Sequence, residues 1–128
     1  MRLLLDTNAF LWFFIGDASL SPPARALIED ESNDKFFSIA SLWEIAIKTS
    51  VGKLTLSAPF DEIFPAQLSN NGIDLLPIAP THVSAITTLA FHHRDPFDRL
   101  LIAQAKIDQT GIVSADRAFD DYSVTRLW

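Results

Sequence analysis

The chain has 128 residues, 48% of them hydrophobic, and carries a formal net charge of −6 with no cysteine. This length and composition suit one domain spanning residues 1–128 and exclude a disordered chain, disulfide bonds and thiolate metal sites. No apolar run reaches the roughly 20 residues of a membrane span and no signal-peptide pattern begins the chain, so a cytoplasmic protein without a membrane partner is expected.

Strand and helix signals alternate along the first half of the chain. Residues 2–5 form an apolar run that ends at Asp6, which is typical of a buried strand. Ser21-Pro22 is typical of a helix start, because serine caps free N–H groups and proline is tolerated at the first helical position. The predicted elements are a strand at 2–5, a short helix at 10–15, a helix at 22–30, a strand at 35–38 and a helix at 39–50, followed by a connector at 53–57.

The second half of the chain continues the alternation. Asp95-Pro96 opens the strongest helix signal, for which Gly111 is the predicted stop. The other predicted elements are a helix from 59 to about 72, a strand at 73–76, a helix at 80–90 and strands at 112–114 and 124–127. Short strands separated by helices indicate parallel crossovers. We therefore predict an α/β fold with three α/β/α layers and a central, mainly parallel, five-stranded sheet.

Two aspartates come after predicted strands at the point where each strand ends. Asp6 comes directly after the first strand, and Asp116 lies two residues beyond the fourth strand. Ligands of open parallel sheets bind beyond the carboxyl ends of the strands, so both side chains are expected at the binding edge. Each could instead cap a turn or a helix. Asp120 and Asp121 lie close enough to Asp116 to compete for its role.

Two more acids occur in predicted helices. Glu44 lies among apolar neighbours, where an unpaired buried charge is costly, although it could reach solvent or pair with Lys48 one turn later. Asp98 lies in the first turn of its helix, for which Asp95 is the better cap. That helix precedes the fourth strand and should begin near the same edge of the sheet, which favours a site role for Asp98.

Carboxylates gathered at one sheet edge repel one another, so a fold that collects them usually neutralises them with a cation. Oxygen ligands suit a hard divalent ion such as magnesium or manganese, whose chemistry is work on phosphate esters. The leading hypothesis is therefore a metal-dependent nuclease. The acidic net charge opposes a nucleic-acid partner only weakly, because acids on a metal would not face solvent. The predicted catalytic and metal-binding residues are Asp6, Glu44, Asp98 and Asp116.

A basic run lies just before the Asp95-Pro96 helix start. It consists of His92, His93 and Arg94, and Arg99 lies within the helix. These groups could form a solvated loop, or they could bind substrate phosphates, a role that we assign to Arg94 and Arg99. The histidines also raise the possibility of a metal-free ribonuclease that uses general acid–base catalysis, for which clustered acids are a poor environment.

The chain resembles the PIN-domain family and, within it, the VapC-type toxins of prokaryotic toxin–antitoxin pairs. The similarity covers nearly the whole chain, in LLLDTNAFLW, SIASLWEIAIK, HHRDPFDRLLIAQA and IVSADRAFDDYSVTRLW, and the set in this order is specific. It implies that the four acids form the metal site, with Asn8 and Ser38 as polar neighbours. Asn8 could orient a carboxylate by hydrogen bonding. Ser114 departs from the threonine of many relatives but keeps the hydroxyl group.

The resemblance also implies an endoribonuclease that uses magnesium or manganese to cut RNA by water attack, a small antitoxin that silences it, and a homodimer. The helix predicted at 10–15 gives modest independent support for the dimer because it is apolar on every side, although it could equally be fully buried. Two other function classes stay open. One is an aspartyl-phosphate enzyme with Asp6 as nucleophile, although Asn8 stands where such phosphatases have a second aspartate, or a receiver domain of similar length and architecture, although neither its acidic pair nor its phosphorylated aspartate stands out. The other is a non-enzymatic binding module whose acids are only caps.

Overall fold

A computed structural model describes residues 1–128 and shows strands and helices in alternation. The strands are β1 (Arg2–Leu5), β2 (Asp34–Ser38), β3 (Ile73–Leu76), β4 (Gly111–Val113) and β5 (Arg126–Leu127). The helices are α1 (Thr7–Ile15), α2 (Pro22–Glu29), α3 (Ile39–Ser50), α4 (Phe60–Ile63), α5 (Ala66–Asn70), α6 (Pro80–Ile86) and α7 (Pro96–Asp108). A 3-10 helix, Arg117–Asp121, joins β4 to β5. Among these helices, none is long and apolar enough to cross a membrane.

The five strands form a single sheet in the order β3-β2-β1-β4-β5, and every pairing is parallel. Parallel neighbours need crossover connections, and every link between strands here contains at least one helical segment. The prediction of a five-stranded α/β sheet is confirmed, and the sheet is wholly rather than mainly parallel.

Apolar side chains cover both faces of the sheet. Along β1, Leu3 and Leu5 enter the larger of two buried clusters, whereas Leu4 enters the other, as the alternation of a strand requires. Helices α1, α2, α4 and α5 pack on the first face, and α7 packs on the second together with the 3-10 helix. This arrangement confirms the three α/β/α layers. The second face is covered by Leu89, Leu101, Ile102, Ala105, Phe119 and Tyr122.

The central strand β1 separates the two halves of the sheet. The chain passes from β1 to β2 and β3 on one side and reaches the other side only at β4, so the topological switch lies between β1 and β4. The N–H of Asp6 donates to the carbonyl of Val113 at 3.1 Å, which continues the pairing of the two strands to their carboxyl ends. The fold therefore brings Asp6 and the loop that contains Asp116 to one edge.

Two boundaries in the first half differ from the prediction. Helix α1 begins at Thr7, three residues early, because the Asp6 side chain accepts a hydrogen bond from the N–H of Ala9 at 2.6 Å and caps the helix. The helix predicted from 59 to about 72 is two short helices, α4 and α5. Pro65 lies between them, and proline has no N–H to continue the helical bonding.

The second half differs mainly at helix ends. Helix α6 ends at Ile86, four residues before the predicted end, and α7 ends at Asp108, followed by the C-cap Gln109 in a left-handed conformation with φ of 55°. Gly111, predicted as the stop of α7, instead begins β4. A Cβ atom on Gly111 would lie 3.1 Å from Cδ1 of Leu127, so this glycine permits the close approach of β5.

Candidate metal centre

A polar cleft opens at the carboxyl edge of the sheet, beside the switch between β1 and β4. Its volume is about 140 Å³, and no hydrophobic side chain lines it. The four acids singled out in the sequence reach it from the end of β1, from α3, from α7 and from the loop after β4. The lining residues are Asp6, Thr7, Asn8, Glu44, Lys48, Asp95, Asp98 and Asp116.

Asp6 is both a helix cap and a lining residue of the cleft. Its side chain is only 8% exposed, and Oδ1 accepts the N–H of Ala9. Burial raises the pKa of Asp6 to about 6, with smaller contributions from the charges of Asp116 and Glu44. Hydrogen bonds from the Ser114 hydroxyl and the Ala9 N–H oppose this shift. An acid this buried and this close to other acids is costly to ionise unless a cation approaches.

Glu44 is held at both carboxylate oxygens. The Thr7 hydroxyl donates to Oε1 at 2.7 Å, and the Lys48 ammonium donates to Oε2 at 2.8 Å. The pairing with Lys48, considered above as the structural alternative, therefore occurs without removing Glu44 from the cleft. Thr7 was not singled out from the sequence. Its hydroxyl directly follows the strand-end Asp6, and that adjacency was the available signal.

The first turn of α7 supplies two acids with different roles. Oδ1 of Asp95 accepts the N–H groups of Phe97 at 2.8 Å and Asp98 at 3.2 Å, so Asp95 caps the helix. The Asp98 carboxyl group points into the cleft. Burial, with a smaller contribution from the charge of Asp95, raises the pKa of Asp98 to about 7, against the opposing effect of His93. Both aspartates line the cleft, but Asp95 caps the helix whereas Asp98 does not.

Asp116 lies at the rim, with its side chain 45% exposed. Its Oδ1 accepts the N–H of Ala118 at 2.9 Å, and its own N–H donates to the Ser114 hydroxyl at 3.0 Å. The rival Asp120 is paired with Arg126 through contacts of 2.9 and 3.0 Å and does not line the cleft. Among the acids after β4, Asp116 is the one that the fold directs toward the other carboxylates.

His93 contacts two of the four acids. Its Nε2 lies 3.1 Å from Oδ2 of Asp98 and 3.4 Å from Oδ2 of Asp116. One potential ligand atom from each of these three residues lies within 4.8 Å of the others. The sequence placed His93 in a basic run beside the acids but gave no sign that the loop before α7 would direct its ring onto both carboxylates.

The two predicted polar neighbours lie in different places. Asn8 is exposed at the cleft and donates no hydrogen bond to a carboxylate, a role that Thr7 fills instead. Ser38 is fully buried at the end of β2, where its hydroxyl accepts the N–H of Ala40 at 3.0 Å and caps α3. It does not line the cleft. Ser38 therefore acts on the cleft only by fixing the start of the helix that carries Glu44.

The structure does not bring the two predicted phosphate-binding arginines into the cleft. Arg99 is 5% exposed, and its guanidinium donates to the carbonyls of Ala90 at 2.9 Å and Leu89 at 3.3 Å. The Arg99 guanidinium therefore binds carbonyl groups of the loop before α7, and the prediction that it contacts a substrate phosphate is wrong. Arg94 is exposed outside the cleft.

The donor set fits a hard divalent cation. The four acids and Asp95 present carboxylate oxygens, and Lys48 is the only amine among the lining residues. Oxygen ligands with an excess of negative charge are the preference of magnesium and manganese, whereas a softer ion would favour thiolates, which this chain lacks. A bound cation would also offset the burial and the mutual repulsion that raise the pKa values of Asp6 and Asp98.

Solved structures share this fold over the full chain. VapBC2 from Rickettsia felis, bound to a promoter DNA fragment, matches with a TM-score of 0.73 and 15% identity, covering 100% of this chain and 99% of the other. FitAcB from Neisseria gonorrhoeae matches at 0.63 and 16%, covering 98% and 96%. A toxin–antitoxin complex from Klebsiella pneumoniae matches at 0.58 and 11%, with the same coverage of 98% and 96%. At these identities the similarity establishes a common fold.

Comparison with curated proteins by sequence gives no significant match. A family model for the PIN domain matches residues 3–124, from the first leucine of β1 to the residues just before β5. The matched region includes every residue that lines the cleft. The chain therefore belongs to the PIN domain family.

Proposed function

We propose that this chain is a metal-dependent endoribonuclease that hydrolyses RNA phosphodiester bonds and serves as the toxin of a toxin–antitoxin pair in the cytoplasm. The observation that carries the proposal is the convergence of Asp6, Glu44, Asp98 and Asp116 in one cleft without apolar lining. Ionised acids packed this closely destabilise a fold, and such arrangements are typical of functional sites.

The cleft residues would hold Mg²⁺ or Mn²⁺, which when bound acidifies water and stabilises negative charge on a phosphate. The protein's own part is to fix the carboxylates in advance. Thr7 and Lys48 hold the two oxygens of Glu44, and cap hydrogen bonds hold Asp6 and Asp116. Because these side chains are ordered by the fold, little conformational entropy remains to be lost when substrate binds. No protein nucleophile is required.

A second cleft supports binding of a nucleic-acid strand. It measures about 270 Å³ and shares Glu44, Lys48 and Asp95 with the acidic cleft. Lys53 and Phe97 also line it, so it offers an ammonium group and an aromatic ring next to the carboxylates. We assign to these groups the phosphate and base contacts that Arg99 cannot make, and Arg94 stays an exposed cation in the loop before α7.

The structural neighbours support the partner in this proposal. VapBC2 and FitAcB match nearly the full length of this chain, and a third neighbour is named as a toxin–antitoxin complex. We infer that a cognate small antitoxin protein binds this chain as well. Its removal would free the acidic cleft for RNA.

We also propose that the chain forms a homodimer, and that its contact surface lies on α3 and not on α1, the helix that the sequence suggested. Helix α1 is neither free nor fully buried: Phe10 is 0% exposed, and Ile15 at its end is 63% exposed. Helix α3 instead exposes an apolar stripe at a spacing of four residues, which lies along one side of a helix. The stripe consists of Ile39, Trp43 and Ile47, with Val51 continuing it at the C-cap. Ile47 and Val51 also line the second cleft, so the proposed dimer contact would border the proposed nucleic-acid site.

Cleavage of a defined single-stranded RNA in Mg²⁺ tests the nuclease. We expect Asp6→Asn and Asp98→Asn to lower the rate at least about 100-fold, because each removes a charge on which the metal depends. Asp120→Asn is the matched control, since its carboxylate pairs with Arg126 outside the cleft, and its rate should stay close to wild type. Equal rates for the wild type and both cleft variants would refute the proposal.

A further inference from the structure

We propose that His93 is a positioning residue that holds Asp116 by a hydrogen bond from Nε2–H and Asp98 by direct contact at the same nitrogen, and thereby sets the affinity of the cleft for a divalent ion. The inference rests on the proposed metal-dependent function. It assigns to the histidine neither the acid–base role nor the phosphate contact considered from the sequence.

A backbone donor fixes the tautomer of His93. The N–H of Asp95 donates to Nδ1 of His93 at 3.1 Å. A backbone N–H can only donate, so Nδ1 carries no proton, and the proton of the neutral ring lies on Nε2. Nε2–H then donates to Oδ2 of Asp116 at 3.4 Å and lies 3.1 Å from Oδ2 of Asp98. The same proton leaves Nε2 without a lone pair for a metal, which makes His93 a donor to the ligands rather than a ligand.

The position of the ring is also fixed by the fold. The hydroxyl of Tyr122 accepts the N–H groups of His92 at 3.0 Å and His93 at 2.9 Å and donates to the carbonyl of Ala90 at 2.9 Å. The ring lies over that of Phe119, with centroids 6.4 Å apart and planes 26° apart. Its side chain is 18% exposed. The imidazole is therefore aimed at the cleft before any ion or substrate arrives.

The two acids depend on His93 to different degrees. Asp116 has a second anchor, because its Oδ1 accepts the N–H of Ala118. The Asp98 carboxyl group accepts no hydrogen bond, and its ion-pair contact is the one with Nε2 of His93 at 3.1 Å. A carboxylate held at one oxygen presents the other in a defined direction, and such outer partners of metal ligands typically contribute 10–100-fold in metal affinity. His93 thus couples α7 to the loop after β4.

A purely structural use of the same motif occurs elsewhere in the chain. Nδ1 of His82 accepts the N–H of Ala79 at 3.0 Å, and Nε2 lies 3.1 Å from both carboxylate oxygens of Asp108. This contact joins α6 to α7, and neither side chain lines the cleft. A test of His93 must therefore separate metal affinity from stability.

Two substitutions of His93 divide its functions. His93→Gln keeps an N–H donor near the position of Nε2, whereas His93→Asn keeps an acceptor near Nδ1 but is too short to reach the carboxylates. His92→Asn is the matched control, since His92 is exposed and contacts neither acid. For each full-length variant, Mn²⁺ affinity is measured by isothermal titration calorimetry and folding by thermal unfolding. We expect His93→Asn to weaken Mn²⁺ binding about 10–100-fold, and the other two variants to stay within about threefold of wild type.

The nitrogen tautomer is measured separately in metal-free wild-type protein by ¹⁵N NMR, with His82 as an internal reference. The Nε2–H form is expected for both rings. A His93→Asn variant that binds Mn²⁺ as tightly as wild type, a folded His93→Gln variant that loses the affinity, or an Nδ1–H tautomer at His93 would each overturn the inference while leaving the metal site intact. Wild-type protein that binds no Mn²⁺ would overturn the proposed function and the inference together.

Discussion

Asp6 and Asp98 are the residues at which burial and charge are least compatible. The pKa of Asp6 rises to about 6 and that of Asp98 to about 7, in both cases chiefly through burial. Asp98 also faces the charge of Asp95, and Asp6 faces those of Asp116 and Glu44. Neither aspartate forms an ion pair with Lys or Arg. Without a cation, each side chain therefore keeps its proton to a higher pH than a free aspartic acid does, Asp98 further than Asp6.

This electrostatic state predicts how the metal-free protein responds to pH. Both pKa values lie above the ordinary value of 3.8, so between about pH 4 and about pH 7 the native state binds more protons than the unfolded state. The contribution of these groups to stability is present at the acidic end of that window and is lost as the pH rises through their folded pKa values. We expect the free energy of unfolding in EDTA to fall across the window.

Urea unfolding of the wild type and of Asp98→Asn across that pH range provides the measurement. The variant has no titrating group at position 98, so its free energy of unfolding should fall less steeply with pH than that of the wild type. Subtracting the free energy of the variant from that of the wild type at each pH removes the contribution of the groups that the two proteins share. A wild type whose stability relative to the variant increases with pH would contradict the electrostatic account.

At the scale of elements, two helix starts build most of the cleft. Asp6 caps α1 and Asp95 caps α7, so the requirement of each helix for an N-terminal hydrogen-bond acceptor also places a carboxylate at the cleft. Helix α3 adds Glu44, and its start is fixed by the buried Ser38. The same local sequence signals that define these helices therefore also position the acids. This is why capping and site roles could not be separated residue by residue from the sequence.

Asp95 offers a way to separate capping from charge. We expect Asp95→Ala to lower the free energy of unfolding by about 1 kcal/mol, because the N–H groups of Phe97 and Asp98 lose their acceptor. Asp95→Ser keeps a capping oxygen and removes the charge that raises the pKa of Asp98. In urea unfolding it should stay close to wild type. A serine variant as unstable as the alanine variant would show that capping is not what Asp95 contributes.

The exposed stripe on α3 is the face that we propose for a homodimer. Trp43 is 59% exposed and packs edge-on against Phe97, with ring centroids 5.3 Å apart. We expect Trp43→Glu to convert the dimer to a monomer in light scattering, because a charge would enter an apolar contact surface. Ile15→Glu, on α1, is the matched control and should leave the dimer intact. If Ile15→Glu dissociates the dimer and Trp43→Glu does not, the interface lies on α1, as the sequence suggested, and not on α3.

At the scale of the whole molecule, periodicity and topology made the sheet and part of its binding edge predictable from the sequence. Alternating strands and helices indicated the parallel sheet, and the switch-point rule placed Asp6 and Asp116 at one edge. The features that could not be predicted depend on contacts distant along the chain. The direction of His93 is set by the Tyr122 hydroxyl, 29 residues away, and the burial of Arg99 depends on how the loop before α7 folds back on it. No local pattern encodes such contacts, so Arg99 was assigned to phosphate and the contact of His93 with the two acids was not foreseen.

The central claim is that these four acids form a divalent-metal site, and anomalous diffraction from Mn²⁺-soaked crystals tests it most directly. The structure predicts an anomalous peak inside the cleft, within coordination distance of carboxylate oxygens from Asp6, Glu44, Asp98 and Asp116. The peak should disappear from crystals of Asp98→Asn and persist in crystals of Asp120→Asn. The four acids do not form a metal site if the cleft shows no peak at a Mn²⁺ concentration at which other carboxylates of the same molecule bind the ion.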